Sequence, residues 1–388
     1  MHIYHFTEMP YPHVPENYEN DYGSIRIVLP NGLLNPQQAS DLYARYLEEY
    51  EYCDEIGINI MLNEHHQTAT CINANISIPA AALARSTKKV KILLLGYPLP
   101  NRNPVHVAED IAMLDSISGG RLIAGFVRGV GTEMHPANSN PVYNRQMFYE
   151  AHDIVKKALT STEPFHFEGQ FNHFRYVNIW PRAIQQPHPP FWTTGGSNEE
   201  HIKWAAENQY TFAAFLTPYH VTERIFNNYR KYSTEAGHSD NNMMDKLALL
   251  SLCNVADTDE EARQNAKEIM WYLQGYVPNH FWTPYGYVPA HEILNSYRPK
   301  NSGSFTSFRT ITLEQLEEMG VMIAGSPDTV IKKIKYLYDR VGGLGHLLLM
   351  NQAGFLNSAK TKRSLELLAK EVYPAIKELS LNQVDSSN

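Results

Sequence analysis

The chain has 388 residues, 43% of them hydrophobic and 19% charged, a balance that supports a large buried core and excludes a disordered protein. Its net charge of −8, with no basic run or stripe, argues against nucleic acid and against anionic membrane surfaces as partners. Cys53, Cys71 and Cys253 are widely spaced, no apolar run reaches membrane-spanning length, and the N-terminus is unlike a signal peptide. A soluble, cytoplasmic protein with reduced thiols is the expectation.

In chain order, residues 3–7 read as a first strand, followed by an irregular loop. Asn35-Pro36 supplies an N-cap and a first-turn proline for a helix to about Ile56. Leu42, Tyr46, Tyr50, Cys53 and Ile56 share one face of it. Gly57 ends that helix, and 57–62 is an apolar strand. The pattern then repeats: helix 79–88, strand 90–97, a helix capped by Asn103-Pro104, strand 121–127. Val107, Ile111, Leu114 and Ile117 form the expected apolar face of the capped helix. Helices over 145–160, 198–208, 221–237 and 259–273 alternate with strands over 191–194, 211–215 and 247–255. Residues 275–324 break the rhythm with an aromatic- and Pro-rich insertion, expected as a lid within a single domain spanning 1–388. Helix 327–341, strand 346–350, helix 362–379 and a disordered tail at 383–388 complete the reading. Eight strands alternating with helices predict an α/β fold, a (β/α)8 TIM barrel with an insertion region before the last strand. The competing doubly wound sheet lacks a dinucleotide fingerprint.

Sites in such barrels are built where strands end, and four ends carry unusual residues. Strand 57–62 breaks into Glu64-His65-His66. Adjacent residues on extended chain point to opposite sides, so one imidazole facing a pocket as acid or base fits better than a metal pair. A solvated loop with incidental histidines is the bland alternative. Leu95-Gly96 ends the third strand, either as an ordinary stop or because backbone must approach a flat ring. Arg128 follows the fourth strand, placed for phosphate or for an ion pair at the rim. Gly195-Gly196-Ser197 runs from strand into helix with Ser197 at the cap, a phosphate cradle or simply a capped helix.

Several segments, in this order and spacing, resemble the bacterial luciferase-like flavin monooxygenases. They are Asn63-Glu64-His65-His66-Gln67-Thr68, the run 104–115, Ser118-Gly119-Gly120-Arg121-Leu122, Gly125-Phe126-Val127-Arg128-Gly129, the run 186–192 and Gly195-Gly196-Ser197. The likeness covers most of the chain to about Leu216 and resumes at Gly325. It implies an FMN-binding barrel in which Arg128 and Arg145 hold the phosphate together with the Gly195-Gly196-Ser197 loop. Leu95-Gly96 falls where the family often has a non-proline cis peptide beneath the isoalloxazine. His65 matches the histidine proposed as catalytic base, and Glu64 its flavin-side neighbour. The activity the resemblance implies is that of a two-component monooxygenase: reduced FMN from a separate NAD(P)H–flavin reductase meets O2, and a flavin C4a-hydroperoxide oxygenates a small, moderately apolar organic substrate. A dimer is also implied. Hydride transfer with F420, a non-catalytic flavin-binding protein, and a metal-dependent barrel hydrolase using Glu64 and His65 are the alternatives. Val127 stands where luciferase has a reactive cysteine, and 275–324 matches nothing in the family.

Overall fold

Eight parallel strands close into a ring, and the physics of that closure explains their sequences. The computed structural model describes residues 1–239, 243–274, 284–287 and 311–379. The staves are β1 (His2–Thr7), β2 (Asn59–Leu62), β3 (Ile92–Pro98), β4 (Leu122–Val127), β7 (Phe191–Gly195), β8 (Thr211–Phe215), β9 (Leu247–Val255) and β11 (His346–Gln352). They pair in that order, with β8 joined to β9 and β11 joined to β1. A stave of a helix-wrapped barrel is buried on both faces, so it reads as a nearly continuous apolar run. Alternate residues serve two cores. Ile60, Ile92, Leu94, Ala124, Leu249 and Leu347 pack outward with the helices. Tyr4, Met61, Leu93, Ile123, Trp192 and Leu348 fill a second cluster, the barrel interior.

The connecting helices form where their caps indicate. The side chain of Asn35 accepts from the amides of Gln37 and Gln38 at the start of helix Pro36–Ile56, and Gly57 closes it in the left-handed conformation at φ 79°. Asn103 and Gly119 do the same for helix Pro104–Ser118. Leu42, Tyr46, Tyr50 and Cys53 are buried as expected. Ile117 is not: it is 46% exposed, because helix Pro104–Ser118 turns Ala108, Ala112 and Asp115 inward instead.

The described residues also contain elements outside the reading of eight strands and their helices. The stretch between helix Asn144–Thr160 and β7 contains a hairpin, β5 (Phe165–Glu168) paired antiparallel with β6 (His173–Val177). Its turn is pinned by Glu150, which accepts from the amides of Gln170, Phe171 and Asn172. Before the last stave, helix Leu313–Glu318 leads into β10 (Met322–Gly325). The carbonyl of Leu250 accepts from Leu216, and the amide of Leu252 donates to Val321. Strand β10 thus takes the edge of β9 that β8 leaves, and it is not a ninth stave. The expected tail at 383–388 and most of the expected lid lie outside the described residues. Among the described residues, no helix is long and apolar enough to cross a membrane.

Strands β3 and β4 approach unusually closely, where their register shifts between Leu94 and Tyr97. A Cβ at Gly125 would lie 2.4 Å from the carbonyl oxygen of Leu94, and one at Gly96 2.4 Å from that of Gly125. The glycine at position 96 therefore has a packing reason independent of any ligand. Gly125→Ala forces backbone apart and is expected to cost about 1–3 kcal/mol. The urea midpoint of the purified variant checks this; an unchanged midpoint would show that the two strands can separate freely.

Candidate active site

All four unusual strand ends lie on one face of the barrel, the face reached by the C-terminal ends of its parallel strands. Beyond β2 the chain must place Glu64, His65 and His66 without leaving a buried charge unpaired. The Glu64 side chain is fully buried and both its oxygens are committed. Its Oε1 meets His66 Nε2 at 3.0 Å, while Oε2 accepts from Arg102 Nη1 at 2.7 Å and from the Ile76 amide at 2.9 Å. Glu64 is therefore a clamp for His66, Arg102 and the start of helix Ser77–Ser86. Its partners are thus His66 and Arg102, and the His65 ring is held by other groups.

The neighbours of His65 are two other carboxylates. Its Nδ1 is 3.0 Å from Glu133 Oε1, and its Nε2 is 3.7 Å from Glu8 Oε2. The side chain of His65 is 23% exposed, against 1% for Glu133 and none for Glu8. Glu133 also accepts from the Val130 amide, the Thr132 hydroxyl and the His66 amide. Glu8 accepts from Asn63 Nδ2 at 2.7 Å and from the Tyr272 hydroxyl at 2.5 Å. The Arg26 guanidinium lies over the Tyr272 ring, 4.3 Å from its centroid. Burial works against a charge on His65, but the carboxylates of Glu133 and Glu8 outweigh it and raise the imidazole above its ordinary value. Burial likewise raises the Glu133 carboxyl, and His65 with the hydrogen bonds from Thr132 and Val130 overcomes that and holds it below the usual range.

Across the face, the other sequence-derived residues gather at the ends of β4 and β7. The Arg128 guanidinium stacks on the Tyr287 ring, 4.6 Å from its centroid, and the Tyr287 hydroxyl donates to the Gly129 carbonyl at 2.8 Å. Arg145 Nη1 pairs with Glu200 Oε2 at 2.8 Å. A cleft of about 300 Å³ lies here, lined by Arg145, Tyr149, Glu200 and Tyr287 among others. Both arginines act on the same two neighbours. The His201 imidazole is pushed down to about 3, first by burial and then by Arg128 and Arg145. The Tyr149 hydroxyl is pushed up to about 12 by burial and Glu200, against the pull of Arg145 and Arg128.

His201 packs against Gly195, where an added Cβ would meet its ring at 3.3 Å. At Gly196 an added Cβ would meet nothing within 4 Å, and Gly196 and Ser197 are exposed. The cap of helix Glu199–Glu207 is Asn198, whose Oδ1 accepts from the His201 amide at 3.0 Å. Ser197 was expected there; a side-chain amide one residue later reaches the first turn instead. Leu95 lies in the interior cluster, and the Leu95–Gly96 peptide is cis.

Sequence reasoning missed Glu8, Glu133, Arg102 and Tyr272. The signal for Glu8 and Glu133 was present. Glu8 follows β1 directly, and Glu133 lies in the short helix Gly131–Met134 that follows β4, so the rule that singled out His65 applies to both.

The luciferase-like monooxygenase family model matches residues 25–344. Limonene 1,2-monooxygenase of Rhodococcus erythropolis is 24% identical over 370 residues, covering 92% of this chain and 87% of the relative. The 3,6-diketocamphane 1,6-monooxygenase of Pseudomonas putida is 26% identical over 354 residues, covering 83% of this chain and 90% of its own. The oxygenating constituent of 3,6-diketocamphane monooxygenase, solved in complex with FMN, superposes with a TM-score of 0.69 at 23% identity over 90% of this chain and 98% of its own. A monooxygenase of Streptomyces bottropensis superposes with a TM-score of 0.73 at 21% identity, covering 96% and 99% of the two chains. The fold and the family match agree, and the chain is an enzyme of the luciferase-like monooxygenase family.

Proposed function

We propose that this chain is the oxygenating component of a two-component flavin monooxygenase, receiving reduced FMN from a separate NAD(P)H–flavin reductase. The observation that carries the reading is the convergence of Arg128, Arg145 and the open Gly195-Gly196-Ser197 turn on the face that also holds His65. Two guanidinium groups beside an uncrowded glycine turn suit a phosphate monoester, which takes bidentate hydrogen bonds and backbone amides. The relative solved with FMN supports flavin as the group bound. The Leu95–Gly96 backbone, at the end of β3 between these two halves of the face, would lie against the flavin ring.

Each residue then has a physical task. Arg128 and Arg145 would neutralise the phosphate, with Glu200 competing for Arg145. Gly196 would let the phosphate approach backbone without a side chain in the way. His65 would move the proton, being the one titratable ring in this cluster with Glu133 and Glu8 on both sides. The flavin supplies the electrons that activate O2, and the apolar interior around Leu95 keeps water from competing. The substrate class in this reading is a small, moderately apolar organic molecule. A dimer is part of the same reading.

Anaerobic titration with reduced FMN and with reduced F420 separates this from hydride transfer. Tight binding of FMN alone supports the proposal, and binding of F420 alone moves the protein to the other chemistry. Arg128→Ala is expected to weaken FMN binding by about 2–4 kcal/mol, the loss of charge-assisted bonds to phosphate, as read by fluorescence titration. Unchanged affinity would remove Arg128 from the site. His65→Ala is expected to leave FMN affinity within about threefold of the parent and to slow turnover by about 10²–10⁴. Full turnover in that variant would end the proton-transfer role.

A further inference from the structure

We infer that Glu133 and Glu8 are positioning carboxylates that grip His65 from its two ring nitrogens and make it a proton donor, not a base, at the start of the reaction. The inference rests on the reading of His65 as the proton-transfer group. Its geometry is independent of that reading. Glu133 Oε1 is 3.0 Å from Nδ1, and Glu8 Oε2 is 3.7 Å from Nε2. Both carboxylates are buried while the ring is about one quarter exposed, so the ring is the solvent-reaching member.

The bonding leaves one consistent arrangement of protons. Glu133 takes bonds from the Val130 amide, the Thr132 hydroxyl and the His66 amide, and His65 holds its carboxyl below the usual range. An ionised carboxylate only accepts, so Nδ1 must carry a hydrogen and Nε2 is the position that gains or loses the proton. Glu8 faces that position with its oxygens already fixed by Asn63 and Tyr272. A buried carboxylate needs a compensating cation nearby, and a protonated His65 supplies it to both.

The other charged and titratable groups around the ring do not reverse this. Arg26, stacked on Tyr272, disfavours a cationic His65 but is outweighed by the two carboxylates. Burial pushes the Tyr272 hydroxyl and the Cys71 thiol up, so both are neutral. Glu64 is spent on Arg102 and His66 on the opposite side of the strand. When the reacting group takes the Nε2 proton, the N–H bond breaks and the electron pair stays on the ring, leaving neutral imidazole hydrogen-bonded to Glu133.

The test is proton-detected NMR of the imidazole carbons in the full-length apoprotein, with the His65 signal assigned by its loss in His65→Ala. The parent is expected to titrate above the ordinary histidine value of 6.5. Glu133→Gln and Glu8→Gln should each lower the midpoint, the first by about one pH unit or more. Glu133→Asp should recover part of the shift. A parent midpoint at or below the ordinary value overturns the proposal, and that measurement does not require any variant to fold. Midpoints unchanged in both variants also overturn it.

Stability gives a second readout with a defined sign. The raised His65 value contributes stability that is full below 6.5 and lost as pH rises through the folded midpoint. The depressed Glu133 value contributes stability present above 4.5 and lost as pH falls through its folded midpoint. Glu133→Gln should therefore lower the thermal midpoint most near pH 5.5 and least near pH 9, whereas an equal loss at both would mean a packing role alone and overturn the inference. FMN binding is scored separately. A shifted His65 midpoint without FMN binding would keep the carboxylate grip and discard the flavin reading; FMN binding with an ordinary midpoint would do the reverse.

Discussion

Three carboxylates buried at one end of an apolar barrel set the terms for the rest of this face. Glu8, Glu64 and Glu133 are each at most 2% exposed, and each stands just beyond strands whose other residues are apolar. An isolated buried carboxylate costs far more than a hydrogen bond returns, so every one of them must be surrounded by donors and cations. The loops after β1, β2 and β4 are shaped by that requirement. Arg102 is drawn in to Glu64, Asn63 and Tyr272 to Glu8, and Thr132 with two backbone amides to Glu133. The two adjacent histidines are divided between these centres. His66 turns to Glu64 and His65 to the other pair, which is the alternation expected of neighbouring side chains on extended backbone.

The face is polarised as a result. Around β1 and β2 it holds buried carboxylates with the partly exposed imidazoles of His65 and His66, and around β4 and β7 it carries Arg128 and Arg145 beside an open glycine turn. On the proposed reading, such a gradient would orient a ligand with one anionic end before any specific contact forms. The arginine side would then hold the ligand, and the carboxylate side would govern a proton. Between them lies the close contact of β3 and β4 at Gly96 and Gly125, which fixes the distance from one half to the other.

The barrel was legible because double burial writes itself into sequence as apolar runs punctuated by Asn-Pro caps and stop glycines. Asn35, Pro36, Gly57, Asn103, Pro104 and Gly119 each act within four residues of the element they begin or end. The elements that were missed lack such local signatures. Strand β10 has four residues and, among the described residues, pairs only with β9, so its place depends on where β8 leaves that edge. The β5–β6 hairpin is half exposed, and its turn is held by Glu150 from the preceding helix. At the site, His65 was visible because an imidazole after an apolar strand is conspicuous. Its partner Glu133 lies 68 residues away, and no spacing rule connects them. Glu64 was next to His65 in sequence yet serves His66, because adjacency along a strand is separation across it.

The same cluster links the site to a helix in which the sequence reading named no site residue. Helix Asp259–Gln274 sends the Tyr272 hydroxyl to Glu8, and neighbouring Trp271 donates Nε1 to the Ala353 carbonyl just after β11. These two residues point to different partners, one in the loop after β1 and one after β11, so the end of this helix is tied to two staves of the ring. Any displacement of it must either carry Glu8 along or leave a buried carboxylate short of a donor, which is costly. The position of that helix end and the surroundings of His65 are thus coupled through Tyr272, by its bond to Glu8 and its contact with Arg26, and the barrel alone does not determine them.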